Sequence, residues 1–346
     1  MSNKISPLNK SVTSKDVAKQ AGVSQSTVSR VFNSPQGCTV KPLVKERVLR
    51  VAKELGYRPN LVARGMISGR TNLVGLVVGD SLGPFYNSII NEFVKKIQDI
   101  GKQCIIFKVP RQGQIDQIIE RVIQFHVDAV VITASAMTEV MAEIIVNNDI
   151  PVVLFNRFIP GTEINTVYVD PIYGSGLVAD YLYENGHRNI GYIQFEKETS
   201  EEVEKKVGFY SKLRQHQIYQ IHEERAAYDY QSGYEAGLRM LQKENRPSAI
   251  FCTSDLIAMG VMDAARFKLG IKIPEELSIV GYDNIDMASW EAYSLTTVQQ
   301  PVEDMIEEVV RMVGTLLKCE KSKAQIQMIG PKLVIRKSSG QMNDQI

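Results

Sequence analysis

The stretch from Thr13 to Phe32 reads TSKDVAKQAGVSQSTVSRVF and has the spacing of two short helices joined by a tight turn. Thr13, followed three residues later by Asp16, forms a capping-box pattern that starts a helix. Gly22 can adopt the left-handed conformation that ends this helix, and Ala18 is small enough for a second helix to cross closely. These positions predict a helix-turn-helix unit.

The second helix of this unit has a polar outer face. Ser24 is placed to cap the helix, while Val28 and Val31 face inward at helical spacing. The residues left to face outward are Gln25, Ser26, Ser29 and Arg30. Such side chains bond bases and phosphates, so we expect this helix to enter a DNA groove. The alternative, an amphipathic helix pair in some other core, does not account for the two caps, the turn glycine and the outward donors together.

Charge divides the chain into two parts. Residues 1 to 70 contain 13 Lys and Arg against 3 Asp and Glu, whereas residues 71 to 346 contain 27 against 36. The net charge of +1 therefore hides a basic N-terminal module. A basic module suits a polyanion, while an acidic remainder is repelled by one and favours solvent and small ligands. A basic surface that is merely solvated is the alternative.

The composition indicates a cytoplasmic protein without a metal site or a membrane span. A chain of 346 residues suggests two or three domains. Its four cysteines, Cys38, Cys104, Cys252 and Cys319, lie far apart without a C-x-x-C pair. This spacing argues against a disulfide framework and a zinc site, and it fits a reducing cytoplasm. The sequence has neither a signal-peptide pattern nor an apolar run of about 18 residues, so we expect no export and no membrane contact.

The chain is organised as a small helical head, a linker and a large core. A third helix is predicted where Val44, Val48, Val51 and Leu55 recur at helical spacing before Gly56. We place the all-α headpiece at residues 1–58 and a hinge helix or linker at residues 59–70. Residues 71–346 form the predicted core.

Within the core, short apolar runs alternate with helical segments, which predicts an α/β fold with parallel sheets covered on both faces. The runs are 73–78, 104–109, 129–133, 152–155, 167–169, 190–195, 250–253 and 279–282. They form two blocks and so predict two lobes, one of residues 71–169 plus 300–328 and the other of residues 170–299 plus 329–338. Ligands of parallel α/β sheets bind at the carboxyl ends of the strands, so the cleft between the lobes is the expected ligand site.

From about Thr13 to about Lys337 the chain resembles the LacI/GalR family of bacterial transcription regulators. The resemblance rests on the order and spacing of five segments, DVAKQAGVSQSTVSRVFN, LGYRPNLVARGM, NGHRNIGYI, TSDLIAMGVMDA and SIVGYDN. It implies a helix-turn-helix headpiece, a hinge helix and a two-lobed core like that of periplasmic binding proteins. It also implies a homodimer that binds a pseudo-palindromic operator under the control of a small effector, expected to be a sugar or sugar derivative.

The resemblance assigns DNA contacts to the headpiece and the hinge. Gln25 and Ser26 fall where the family reads bases, and Arg30 falls on the recognition-helix arginine. Met66 occupies the place of a leucine that wedges into the minor groove, and Lys41 stands where a small hydroxyl residue often caps the third helix. The predicted DNA contacts are Thr13, Ser24, Gln25, Ser26, Thr27, Ser29, Arg30, Asn33, Lys41, Tyr57, Asn60, Ala63, Arg64 and Met66.

The same resemblance assigns effector contacts to the core. The predicted residues are Phe85, Arg157, Lys205, Tyr230, Asp255 and Asp283. A carboxylate can accept paired sugar hydroxyls, while aromatic rings cover the apolar CH face of a sugar. Lys205 stands where many relatives carry an arginine, so it offers a point charge instead of a bidentate fork. Strand-end structural bonds or ordinary core packing are the alternatives for these residues.

Two rival functions remain to be weighed. The segment Gly174 to Ala179 matches the GxGxxA pattern of dinucleotide-binding enzymes, but Pro171 removes one of the backbone amides that such a site needs. The four histidines show no metal-ligand spacing, and His187 is expected to be solvated. A DNA-binding regulator controlled by a partner protein is the second rival. The sequence favours an effector-controlled repressor that is not an enzyme and has no cofactor.

Overall fold

The protein was analysed as a computed structural model, which divides into two compact units, Met1–Asn72 and Leu73–Ile346. It describes residues 12–33, 40–59, 70–79, 83–109, 115–133, 147–159, 161–197, 199–318 and 323–342. Within these residues, no helix is both long and apolar enough to cross a membrane.

The N-terminal unit contains three short helices, α1 (Ser14–Ala21), α2 (Gln25–Asn33) and α3 (Pro42–Leu55). The capping box at the start of α1 is confirmed, because the Thr13 side chain and the Asp16 side chain each bond the other's backbone amide. Gly22 ends α1 and Gly56 ends α3, both in the left-handed conformation. The side chains that the three helices bury together are Val17, Ala18, Ala21, Val28, Val48, Val51 and Ala52.

The first lobe of the core is built on a six-stranded parallel sheet in the order β11-β5-β4-β3-β1-β2. Its strands are β1 (Leu73–Gly79), β2 (Gln103–Val109), β3 (Ala129–Thr133), β4 (Val152–Phe155), β5 (Asn165–Val169) and β11 (Ile326–Ile329). The helices described beside it are α4 (Pro84–Asp99), α5 (Ile115–Gln124) and α10 (Val302–Leu317). The central strands read as continuous apolar runs because helices cover the sheet.

The second lobe repeats this plan in the strand order β12-β10-β9-β8-β6-β7, with only β12 antiparallel. Its strands are β6 (Ile190–Phe195), β7 (Ile221–Ala226), β8 (Ala249–Cys252), β9 (Ser278–Asp283), β10 (Thr296–Gln299) and β12 (Lys332–Val334). Its α-helices are α6 (Pro171–Glu184), α7 (Ser200–Gln215), α8 (Tyr230–Leu241) and α9 (Asp255–Asp263). The chain passes between the two sheets after β5, β10 and β11.

All eight apolar runs of the sequence form strands, but four further strands have no such run. The edge strand β7 has the sequence IHEERA, in which Glu223 and Arg225 are exposed and Glu224 is half-buried. Charged residues are common on sheet edges because they discourage pairing with another chain. β10, β11 and β12 have only three or four residues each and lie next to the crossings between the lobes, so the local sequence does not predict them.

The GxGxxA segment lies inside helix α6, which Asp170 caps by accepting a hydrogen bond from the Tyr173 amide at 2.9 Å. A Cβ at Gly174 would lie 2.9 Å from Pro331, so this glycine permits close packing. A methyl group at Gly208 of α7 would overlap the backbone carbonyl of Ile172, so the α6–α7 crossing also needs a glycine. These glycines serve packing between elements, and the dinucleotide-binding alternative is wrong.

The prediction for His187 is also wrong. The residue is buried, and its ring nitrogens lie 3.0 Å from Ser248 Oγ and 3.1 Å from the carbonyl oxygen of Gly340. Burial lowers the pKa of this imidazole. The C-terminal segment around Gly340 therefore covers the turn after α6, which the local sequence alone predicts to be exposed.

Candidate DNA interface and effector cleft

Helix α2 presents its polar side chains to solvent. Ser24, Gln25, Ser26 and Arg30 are exposed, whereas Thr27 and Ser29 are half-buried. Ser24 caps the helix, because its Oγ accepts a hydrogen bond from the Thr27 amide at 3.2 Å. The exposed hydroxyl, amide and guanidinium groups can donate to phosphates and to base edges.

These polar side chains are held by bonds within the headpiece. Gln25 Nε2 donates to Ser14 Oγ on α1 at 3.0 Å, so one helix orients a side chain of the next. Arg30 Nε donates to the Ser26 carbonyl at 3.4 Å, one turn back along α2. The recognition side chains are thus ordered but remain accessible.

The other predicted DNA contacts are described only in part. Thr13 is exposed before α1, and Lys41 is exposed at the start of α3, where its side chain makes no capping bond. Tyr57 is half-buried, with its ring edge-on to Phe32 at 5.5 Å between centroids. Asn33 ends α2. The positions outside the described residues are the Asn33 side chain and the hinge residues Asn60, Ala63, Arg64 and Met66.

In the core, the polar centre is the carboxylate of Asp283 at the carboxyl end of β9. Tyr228 Oη donates to its Oδ2 at 2.6 Å, and Gln300 Nε2 donates to its Oδ1 at 2.8 Å. Asp283 has a positive φ of 117° and Asn284 follows at 56°, so the chain turns sharply where the strand ends. This turn places the carboxylate between the two lobes.

The Gln300 amide continues the network into the first lobe. Gln300 lies at a crossing between the sheets, and its Oε1 accepts a hydrogen bond from Asn156 Nδ2 at 3.2 Å. Asn156 follows β4 with a positive φ of 57°. A chain of side-chain bonds therefore runs from Tyr228 through Asp283 and Gln300 to Asn156.

Burial raises the pKa of Asp283 to about 7, against the opposing effect of the nearby Lys205 ammonium. Partial burial and the Asp283 carboxylate in turn raise the pKa of Tyr228 well above its usual value, so its hydroxyl keeps its proton and donates. A carboxyl group with a pKa near 7 can switch between accepting and donating hydrogen bonds near neutral pH.

Lys205 is buried, and its ammonium lies 2.9 Å from Glu201 Oε1, 3.2 Å from Glu202 Oε1 and 3.3 Å from the carbonyl oxygen of Thr253. It also stands 4.2 Å above the centre of the Tyr282 ring. Burial alone would lower the pKa of Lys205, but the two glutamates outweigh it and hold that pKa well above normal. The three bonds use all three N–H donors, so Lys205 positions its neighbours and has no donor to spare.

Asp255 is fully buried at the start of α9, where two groups of the second lobe donate hydrogen bonds to its carboxylate. The Ile285 amide donates to its Oδ2 at 2.8 Å, and the Thr297 hydroxyl donates to its Oδ1. Burial, and then the Asp283 carboxylate, hold its pKa well above the usual range. Asp255 therefore fixes the segment after β9.

Phe85 and Asp283 line one cavity between the lobes, with a volume of about 680 Å³. Phe85 is buried near the start of α4, and Trp290 lines the cavity from the second lobe. The volume is in the range of small-molecule sites. The structure thus brings two of the predicted effector residues to the same cavity.

The remaining predicted residues are placed differently. Tyr230 is 37% exposed, and its hydroxyl donates to Asp263 at 2.7 Å, so the structure brings Tyr228, and not Tyr230, to Asp283. Arg157 is half-buried beside Asn156. Tyr228, Gln300 and Asn156 are the residues that sequence reasoning missed, although all three follow strand ends.

The comparisons with known proteins agree with this arrangement. A model described as "Bacterial regulatory proteins, lacI family" matches residues 13–60, and one described as "Periplasmic binding protein-like domain" matches residues 179–339. The HTH-type transcriptional regulator DegA of Bacillus subtilis (strain 168) is 32% identical over 345 residues, covering 95% of this chain and 98% of DegA. The chain belongs to the lacI family.

Solved structures of lacI-family proteins have the same fold. The lac repressor dimer bound to operator and the anti-inducer ONPF is similar with a TM-score of 0.86 and 25% identity, covering 95% of this chain and 99% of that one. The complex of the transcriptional regulator CelR with cellobiose is similar with a TM-score of 0.70 and 27% identity, covering 95% and 100%. As a lacI-family member, the chain is a DNA-binding transcription regulator and not an enzyme.

Proposed function

We propose that this protein is a cytoplasmic repressor that binds a pseudo-palindromic operator as a homodimer and that a sugar-like effector between the lobes sets its affinity. The observation that carries the proposal is the Asp283 carboxylate, which lines an inter-lobe cavity while bonded to side chains of the second lobe and of the crossing segment. A ligand hydroxyl that binds this carboxylate competes with Tyr228 or Gln300 and so acts on the contacts between the lobes.

A sugar is the favoured class of effector because of the groups that surround Asp283. A carboxylate, a tyrosine hydroxyl and a glutamine amide can accept from and donate to several hydroxyls at once. Phe85 and Trp290 provide aromatic surface in the same cavity. The related CelR structure contains cellobiose, which supports a carbohydrate ligand here.

An exposed apolar side chain on the second lobe supports the homodimer. Phe267 is 81% exposed and so offers apolar surface that a second subunit can cover. Asp263 accepts from both Tyr230 and Tyr293, so α8, the end of α9 and the loop before β10 form one neighbourhood. The lac repressor, which the core resembles, was crystallised as a dimer on its operator.

At the DNA end, we propose that α2 reads bases with Gln25, Ser26 and Arg30, while the hinge residues Asn60 to Met66 contact the minor groove. The exposure of the α2 side chains supports the first assignment. Binding of the effector would shift the lobes and thereby change how the two headpieces of a dimer are spaced on a pseudo-palindrome.

The test is operator binding by the full-length protein in the presence of a panel of sugars and sugar derivatives. Trp290 is the only tryptophan and lines the cavity, so its fluorescence reports ligand binding directly. One sugar should change both the fluorescence and the operator affinity, and Asp283→Ala should abolish both responses while operator binding persists. Asp286→Ala is the matched control, because this exposed carboxylate lines the same cavity.

Two results would contradict the proposal. If no sugar changes the operator affinity, effector control by a carbohydrate is wrong. If the protein remains monomeric on a sizing column at the concentrations where it binds operator, the homodimer is wrong.

A further inference from the structure

A second cavity of about 380 Å³ lies on the outer side of the second lobe. We call it the α7 groove, because α7 forms one wall through Val203, Val207 and Ser211, while Gln194 of β6 and Arg225 of β7 form the other. β7 is the edge strand of its sheet, so the groove opens beside that edge. Neither Asp283 nor Tyr228 lines it, and it is therefore separate from the inter-lobe cavity.

The lining of the α7 groove is basic, although the chain beyond residue 70 is acidic. Its cationic residues are Lys197, Lys206, Arg214 and Arg225. Lys206 is neutralised by Glu223 at 2.7 Å, and Arg225 donates to the Glu196 carbonyl at 3.4 Å. Among the described residues, Lys197 and Arg214 form no ion pair.

The one acidic residue among the described lining residues does not cancel this charge. The Glu202 carboxylate is buried, where it accepts the Phe195 amide at 3.1 Å and the Lys205 ammonium at 3.2 Å. Its negative charge is thus paired on the inner side of α7. The groove is left with an excess of positive charge.

A polar side chain of β6 also faces the groove. Gln194 is 6% exposed and makes no side-chain hydrogen bond among the described residues, but its amide is not sealed from solvent. The amide lines the groove and can therefore be satisfied by whatever occupies it.

The wall opposite Gln194 is apolar. Val203 and Val207 lie one helical turn apart on α7 and are each about half exposed. These valines lie in the same groove as Lys197 and Arg214, which have no ion pair among the described residues. This combination suits a ligand that has both an apolar face and an anionic group.

We propose that the α7 groove binds a small metabolite that carries a phosphate monoester. Such a group has about −1.5 to −2 charges at neutral pH and three strong acceptor oxygens, which matches Arg214 and Lys197. Arginine holds phosphate oxygens through two parallel N–H bonds. Gln194 binds a hydroxyl or carbonyl of the same molecule, and the two valines cover its carbon skeleton.

The experiment is calorimetric titration of the full-length protein in a phosphate-free buffer with glucose 6-phosphate, inorganic phosphate and glucose. Glucose 6-phosphate should bind, and Arg214→Gln should weaken that binding about tenfold or more, because an exposed charge-assisted bond is lost. Gln194→Met keeps the buried volume and should weaken binding of glucose 6-phosphate but not of inorganic phosphate. Lys197→Gln should also weaken binding of glucose 6-phosphate, whereas its matched control Lys272→Gln should not, since Lys272 is an exposed lysine of the second lobe outside the groove.

The same titration in Asp283→Asn separates the two cavities. Binding of glucose 6-phosphate that persists in Asp283→Asn and weakens in Arg214→Gln supports the α7 groove, whatever the outcome for the inter-lobe effector. The proposal is overturned if glucose 6-phosphate does not bind at millimolar concentration, or if its binding is unchanged by Arg214→Gln. It is also overturned if the binding disappears in Asp283→Asn, because the ligand then occupies the inter-lobe cavity.

Discussion

The recognition helix and the centre of the core use similar polar side chains in opposite ways. On α2, Gln25 and Arg30 are exposed, and the bonds described for them are to Ser14 and to the Ser26 carbonyl within the headpiece. Around Asp283 and Lys205, the charged groups are buried and bond one another across segments that are distant in sequence. We therefore expect loss of one of these exposed polar side chains to leave the headpiece folded, whereas loss of a buried charge should destabilise the core.

The largest effect that tests this comparison is expected for Lys205→Met. The change leaves the buried Glu202 and the half-buried Glu201 without their cation, and breaking a buried pair in this way costs about 3–5 kcal/mol. The free energy of unfolding, measured by urea titration, should fall by this amount. Lys206→Met is the control, because the Lys206 side chain is 36% exposed while that of Lys205 is 4% exposed. Its exposed pair is worth only about 0–1 kcal/mol. Equal losses in the two variants would remove the distinction between buried and exposed polar groups.

The next effect belongs to the headpiece. Arg30→Ala should cost about 1–3 kcal/mol of specific operator binding in each half-site, since a bidentate base contact is lost. The melting temperature should not change, because Arg30 is exposed and its described bond is to a backbone carbonyl on the same helix. Band-shift titrations at one salt concentration measure the ratio of the affinity for operator to the affinity for scrambled DNA. If Arg30→Ala leaves this ratio unchanged, Arg30 does not contact bases.

Sequence reasoning succeeds in the headpiece because its determinants are local. The Thr13–Asp16 box and the glycines that end α1 and α3 act within a few residues of one another. Alternating apolar runs also predict the central strands, because parallel strands are buried on both faces. These features need no knowledge of which segments meet.

The centre of the core depends on long-range contacts, so it was predicted only in part. Asp283 was identified by its place after a strand, but Tyr228 lies 55 residues away along the chain. Asn156 and Gln300, which bond each other, are separated by 144 residues. His187 was expected in solvent because Gly340, which covers it, follows 153 residues later. Polar residues just after strand ends are the signal that would have found Asn156 and Gln300.

A smaller effect is expected in the pH dependence of stability. Burial raises the pKa of folded Asp283 to about 7, above the unfolded value of 3.8, so the folded state binds more protons between these pH values. The free energy of unfolding should therefore fall as pH rises from about 4 to 7, by at most about 1.4 kcal/mol per pH unit from this group, and then level off. Asp283→Asn lacks this contribution.

The measurement is urea unfolding of the wild type and of Asp283→Asn across this range. The stability of the variant relative to the wild type should increase up to about pH 7 and stay constant above it. Asp286→Asn, at an exposed carboxylate three residues further on, should show no such trend. Parallel curves for the wild type and Asp283→Asn would mean that the carboxylate is ionised throughout and less buried in solution.

The smallest effect decides which tyrosine belongs to the cleft. Tyr228→Phe removes the 2.6 Å bond to Asp283, whereas Tyr230→Phe removes a 2.7 Å bond to Asp263 on the neighbouring helix. With the sugar that the operator assay identifies, Tyr228→Phe should change effector affinity by about 1 kcal/mol, roughly fivefold, because the carboxylate loses a partner that orients it. Tyr230→Phe should leave that affinity unchanged. Titrations followed by Trp290 fluorescence compare the two variants under the same conditions. The opposite result would place the effector beside α8, and Asp283 would then be a buried structural group like Asp255, whose polar bonds hold the fold together.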